Sequence, residues 1–170
     1  MPEPIVVCDY DPGWPQRYAA LRQPVADVLG DLAVGIEHVG STSVPGLAAK
    51  PTIDIVIRLR AARDLPAAIR RLARLGYVHE GDFGVIGREA FATPAGYGPH
   101  DHHLYVCAPD WGGYDDQVVF RDYLRAHADV AAAYAQLKRS LAIEHRNDRQ
   151  AYTAGKAGFV SAVLKQARGE

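Results

Sequence analysis

The stretch from Ile36 to Leu59, IEHVGSTSVPGLAAKPTIDIVIRL, ends one apolar run in Gly40, Ser41, Thr42 and Ser43 and then sets a single acid, Asp54, inside the next apolar run. Gly40 can take backbone angles closed to other residues and lets a ligand come close to the main chain. Ser41, Thr42 and Ser43 bring hydroxyls and N–H donors, the groups that hold phosphate oxygens. The same residues also suit a plain turn or cap. If a helical turn begins there, its first N–H groups add about half a positive charge. A strand alternates its faces, so Ile53, Ile55 and Ile57 share one face while Asp54 and Val56 share the other. A carboxylate buried alone there is costly. Its partner is therefore an arginine, a hydrogen-bond network or a divalent cation, and a carboxylate holding Mg²⁺ against substrate phosphates would account for both features.

A second source of chemistry is HDHHLYV. If Leu104 and Val106 face the core, His103 and Tyr105 fall on the same side as Asp54. His103 then suits a metal ligand, a general base near neutral pH, or a satisfied strand-end histidine. His100 and His102 form a His-x-His pair of the kind zinc uses, but no third soft ligand has convincing spacing, and Gly98-Pro99 reads as a loop. His38, two residues before Gly40, is placed either to orient the hydroxyl turn or to pack. Tyr134 and Lys138 are four apart, as are Tyr152 and Lys156, so each pair shares a helix face. Such faces either stack a base and hold a phosphate, or pack an aromatic under a snorkelling lysine.

The elements that must position these groups follow from apolar periodicity. Residues 5–10 read as a short strand stopped by Asp11-Pro12-Gly13. Trp14, Tyr18, Leu21, Val25 and Leu29 recur every three or four residues and predict a helix over 14–29. Residues 32–39, 52–59 and 102–107 predict strands. LPAAIRRLARLGY predicts a helix with Pro66 in its first turn and Gly76 at its C-cap. Residues 77–93, broken by Gly81, Gly84 and Gly87, suggest a hairpin. Residues 114–144 carry two helical patterns and 149–168 a third. Strands fill the first two thirds and helices the last, which predicts an α/β (α+β) fold, a mixed sheet flanked by helices with a helical C-terminal segment packed on it.

At 170 residues the chain is expected to be one domain, with a sheet region over about 1–110 and a helical segment over about 111–170. A chain of this length buries roughly 70% of its unfolded surface and needs no disulfide or metal staple. Its formal net charge of −1 argues against a nucleic-acid partner held by bulk charge, so any phosphate chemistry must rest on local basic residues. Cys8 and Cys107 are far apart in strand-like runs and read as small buried hydrophobes. No apolar run reaches the roughly 18 residues of a membrane span, and Met-Pro-Glu-Pro is not a signal peptide; a cytoplasmic protein is expected.

The segments HVGSTSVPGLAAKPTIDI, LGYVHEGDFGVIGREAF, HHLYV, FRDYLRAH, YAQLKRSLA and YTAGKAGFV closely resemble the GrpB family almost end to end. That family is placed in the nucleotidyltransferase superfamily of the DNA polymerase beta type, whose signature is Gly-Ser at a strand end followed by an acid-bearing strand. The resemblance implies that Gly40 and Ser41 hold a triphosphate and that Asp54 binds a divalent metal, Mg²⁺ or Mn²⁺. It also marks a departure, since the second carboxylate of the superfamily would fall at Val56. His103, or Glu89 in the hairpin region, is the candidate to replace it as a metal ligand. Lys50, Arg88 and Arg121, the two arginines matching family positions, are candidates to neutralise phosphate, alongside Thr42 and Ser43. The expected activity is transfer of a nucleoside monophosphate from NTP to a small-molecule or protein acceptor. The alternative is a catalytically reduced module that binds a nucleotide or phosphorylated metabolite, and Val56 favours it.

Overall fold

The computed structural model describes residues 2–98 and 100–170. Helix α1 (Trp14–Leu29) leads into strands β1 (Ala33–Val39) and β2 (Ile53–Leu59), helix α2 (Leu65–Ala73), strands β3 (Val78–Gly81), β4 (Arg88–Ala92) and β5 (His102–Cys107), and helices α3 (Gly112–Ala126), α4 (Ala128–Glu144) and α5 (Arg149–Arg168). The strands form one mixed sheet in the order β1-β2-β5-β4-β3. Only the central β2–β5 pair is parallel; the other pairs are antiparallel.

The sheet has two differently used faces. Ile53, Ile55, Ile57, Leu104 and Val106 point to one side and form the main core with Trp14, Val25, Leu29, Ala68 and Leu72 of α1 and α2. On the other side Val39, Val56, Cys107 and Tyr114 make a smaller cluster beneath α3. Burial pushes the Cys107 thiol up to about 12, so it serves as packing. α4 and α5 lie beyond this second face, with Leu124, Tyr134, Val44 and Leu47 joining the helices to the hydroxyl turn. Among the described residues no helix is long and apolar enough to cross a membrane.

Residues 5–10 do not form the expected sheet strand; they make a single isolated bridge, Cys8 to Ala49. Their apolar character serves packing on helices instead, since Ile5 is buried against Leu141, Ala142 and Tyr152 and its N–H donates to the Arg146 carbonyl at 2.8 Å. Helix α2 stops at Ala73, before the expected C-cap, and Gly76, with φ +91°, turns the chain so that Tyr77 enters the core. The expected hairpin is present as β3–β4, with a register irregularity between His79 and Gly81. The Gly98-Pro99 loop expected before His100 includes Pro99, which lies outside the described residues.

Candidate functional site

Strand pairing creates the heart of the site. Asp54 on β2 is opposite His103 on β5, and residues directly opposite share a face of the sheet. His103 Nδ1 lies 2.9 Å from Asp54 Oδ1. An ionised carboxylate only accepts, so Nδ1 carries the proton and Nε2 keeps a lone pair open to a ligand.

The hydroxyl turn closes against the same carboxylate. Gly40, with φ 73° and ψ −178°, occupies backbone space reserved for glycine, and a Cβ there would lie 2.3 Å from Asp54 Oδ2. Ser41–Ser43 form one 3₁₀ turn, and no α-helix follows. A long helix dipole is therefore not the source of positive charge here. Ser43 is spent on the turn, its hydroxyl donating to the Gly40 carbonyl at 2.5 Å. The Ser43 carbonyl in turn accepts from Arg125 Nε at 2.9 Å and Nη2 at 2.7 Å. Thr42 donates to the Thr52 carbonyl at 3.1 Å and so must accept from His38 Nε2, 2.9 Å away. His38 is thus a neutral donor that ties the end of β1 to the start of β2. Burial drives its pKa down to about 4, and the ring stacks on Tyr18 at 4.7 Å.

Positive charge comes from three lysines on separate segments. A cavity of about 180 Å³ is lined by Gly40, Ser41, Asp54 and His103 on the sheet side and by Lys50, Lys138 and Lys156 around it. Lys50 precedes β2, Lys138 is on α4 and Lys156 on α5. Lys156 Nζ stands 4.5 Å and Lys50 Nζ 5.5 Å from the centroid of the Tyr152 ring; Lys138 Nζ stands 4.8 Å from that of Tyr134. Lys138 is fully buried and donates to the Ala48 carbonyl. Burial, reinforced by neighbouring cations, lowers Lys138 to about 7; Lys156 falls to about 8, and Lys50 is lowered too. Tyr134 and Tyr152 are themselves buried with ammonium groups against their rings, so neither offers a free face to a base.

The remaining sequence candidates lie elsewhere. Arg121 is buried and committed to Glu37 Oε2 at 2.6 Å, the His38 carbonyl at 3.0 Å and Asp122 Oδ1 at 2.8 Å. It braces β1 rather than lining the cavity. Glu89 pairs across the sheet with Val106, which puts it on the opposite face from Asp54, where it meets His79 at 2.6 Å. It cannot join Asp54 around one metal. Arg88 is on the Asp54 face but lines a neighbouring cavity, its guanidinium 4.5 Å over Tyr105. His102 turns to the core face and bonds Tyr77 at 2.8 Å, so it does not pair with His100 as a zinc clamp. Among the described residues no group of three or more His, Cys, Asp or Glu side chains gathers to hold a metal. Arg125, which props the turn, escaped the sequence reading, although its position four residues after Arg121 on one helix was a usable signal.

Relatives of this architecture are known. A UPF0157 protein of Pseudomonas aeruginosa is 39% identical over 166 residues, covering 96% of this chain and 67% of the relative. The UPF0157 protein YqkA of Bacillus subtilis is 31% identical, covering 94% of this chain and 46% of the relative, so the chain spans about half of that protein. The crystal structure of the conserved protein GrpB from Enterococcus faecalis superposes with a TM-score of 0.84 at 30% identity, over 95% of this chain and 96% of that one. The structure of the GLD-2/RNP-8 complex shares the fold more distantly, with a TM-score of 0.62 at 13% identity over 92% of this chain and 60% of that one. The family model described as GrpB protein matches residues 4–166, and the chain belongs to the GrpB family.

Proposed function

We propose that the lysine-lined cavity binds the phosphates of a nucleoside triphosphate, and that the protein is a cytosolic nucleotidyltransferase moving a nucleoside monophosphate to a small-molecule or protein acceptor. The observation that carries this reading is charge. Lys50, Lys138 and Lys156 converge on one cavity in which Asp54, already shared with His103, is the only carboxylate among the described residues. A polyphosphate completes that arrangement, and desolvated ammonium groups aimed at it stabilise the charge that develops during transfer. Gly40 and Ser41 lie at the cavity wall, where the main chain can approach phosphate oxygens.

Asp54 offers one carboxylate oxygen facing the turn, with Ser41 on the same cavity wall. That set fits Mg²⁺ or Mn²⁺ when phosphate oxygens and water supply the other ligands. Such an ion, when bound, would neutralise phosphate charge and polarise the phosphorus. His103 Nε2 takes the proton of the attacking hydroxyl, and the Asp54 carboxylate orients the ring and stabilises the imidazolium.

Val56 supports a second reading. It is fully buried in the cluster beneath α3, so no second carboxylate stands beside Asp54. The same cavity could then bind a nucleotide without turnover. Incubation with α-labelled NTPs, Mg²⁺ or Mn²⁺ and a metabolite extract separates the two. Label transfer that disappears in Asp54→Asn is the expected result; nucleotide binding without transfer supports the binding module; absence of nucleotide binding would falsify both.

A further inference from the structure

His103 lines two cavities. Besides the lysine-lined one, it borders a larger cavity of about 480 Å³ built mainly from β4, β5 and the loops beside them. Cavities that enclose a whole small molecule measure about 300–1,000 Å³. The 180 Å³ lysine chamber falls below that range and suits a phosphate tail, whereas the larger cavity can take an entire small substrate.

The larger cavity is also unbalanced in charge. Arg88 and Arg149 line it, with Glu80 as the only acid among its described lining residues. Arg88 makes no ion pair among the described residues. Its guanidinium is held over the Tyr105 ring, and its buried Nε has no hydrogen-bond partner. Among the described residues Arg149, the first residue of α5, makes only a 3.5 Å contact with His100 Nδ1. A neutral nucleoside would leave both guanidinium groups unused. A guanidinium fork matches a phosphate or carboxylate.

We infer that this second cavity is the acceptor site, and that it takes a small hydroxyl compound bearing an anionic group gripped by Arg88 and Arg149. This assignment rests on the nucleotidyltransferase reading above. The acceptor hydroxyl meets His103 from the larger cavity while the triphosphate lies in the lysine chamber. The O–H proton passes to His103 Nε2, and the acceptor oxygen forms a bond to the α-phosphorus. The bond from that phosphorus to the α–β bridging oxygen breaks, and pyrophosphate leaves with the electron pair.

Calorimetric titration with glycerol 3-phosphate and with glycerate distinguishes a phosphate from a carboxylate acceptor, with glycerol as neutral control and inorganic tripolyphosphate as probe of the lysine chamber. At least one anionic probe is expected to bind wild-type protein already saturated with tripolyphosphate, and glycerol is not. Arg88→Gln is expected to weaken that probe at least tenfold and leave tripolyphosphate unchanged, while Lys156→Gln does the reverse. Arg149→Gln, at the exposed start of α5, gives the same test should Arg88→Gln fail to fold. Competition between the anionic probe and tripolyphosphate, no binding of either anionic probe, or binding indifferent to both arginines would overturn the acceptor assignment alone. So would tight, arginine-independent binding of adenosine, which would make the cavity a nucleoside pocket. Failure of tripolyphosphate to bind the wild type would instead overturn the donor reading, and this assignment with it.

Discussion

Replacing Gly40 by alanine tests the geometry on which the site depends. Gly40 has φ 73° and ψ −178°, a region that costs a residue with a Cβ about 1–3 kcal/mol. The new methyl would also lie 2.3 Å from Asp54 Oδ2, 3.1 Å from Cγ and 3.3 Å from Cβ. The carboxylate can escape only by rotating, and rotation breaks the 2.9 Å bond to His103. Because the Asp54 and His103 side chains are 30% and 33% exposed, that bond is worth only about 1 kcal/mol after solvent screening. The sum is about 2–4 kcal/mol. In a protein of this size each kcal/mol moves the melting midpoint by about 2–4 °C, so the expected loss is roughly 5–15 °C. Gly46→Ala is the matched control, since Gly46 has φ +82° but open space where its Cβ would go, and it carries strain without the clash. Circular-dichroism melts of the two variants at neutral pH measure the difference. If Gly40→Ala melts no lower than Gly46→Ala, the turn does not press on Asp54 and the reasoning fails.

Two further outcomes concern protons. Burial holds His38 and His102 at about 4 in the folded protein, against 6.5 when unfolded, so between those values the unfolded chain binds more protons. Stability is therefore expected to fall as pH drops from about 6.5 to about 4, by ~3 kcal/mol for each histidine at the lower end; a urea midpoint that stays level from pH 7 to 4.5 would refute this. In the lysine chamber, Lys138 at about 7 and Lys156 at about 8 are partly deprotonated just above neutrality, and a bound polyphosphate favours their charged forms. Tripolyphosphate binding at pH 8 is expected to take up protons and to weaken as pH rises further, which calorimetry in two buffers of different protonation heat reads directly.

The sequence disclosed the face on which each strand residue lies more readily than its neighbour. Alternation alone put Asp54 and His103 on one side of their strands, and the structure pairs them. That β5 lies parallel beside β2 depends on a long crossover through α2 and the hairpin, which no local pattern encodes. Glu89 illustrates the same limit. Its place in a hairpin region was legible, but the irregularity between His79 and Gly81 leaves the register, and so the face, open until the strands are seen paired. Residues 5–10 misled for another reason, since apolar residues packing on α4 and α5 leave the same trace as a strand edge. The Tyr134/Lys138 and Tyr152/Lys156 spacings identified two helix faces, yet their convergence with Lys50 is a property of how α4 and α5 dock.

Val56 ties the departure from the two-carboxylate pattern to the lysines. It shares its face with Asp54 but lies one step deeper, sealed with Val39, Cys107 and Tyr114 under α3. A carboxylate at that depth would be desolvated and would need a cation at all times to be tolerated. With valine there, the second face packs as an apolar layer whether or not an ion is bound, and the structural load shifts away from any metal. On the proposed function, the charge of an incoming polyphosphate is then met by ammonium groups, which come from three separate segments. Two are on helices beyond the sheet, so a chain of this fold that kept Gly40, Ser41 and Asp54 but lost α4 and α5 is expected to keep the turn and to bind tripolyphosphate more weakly.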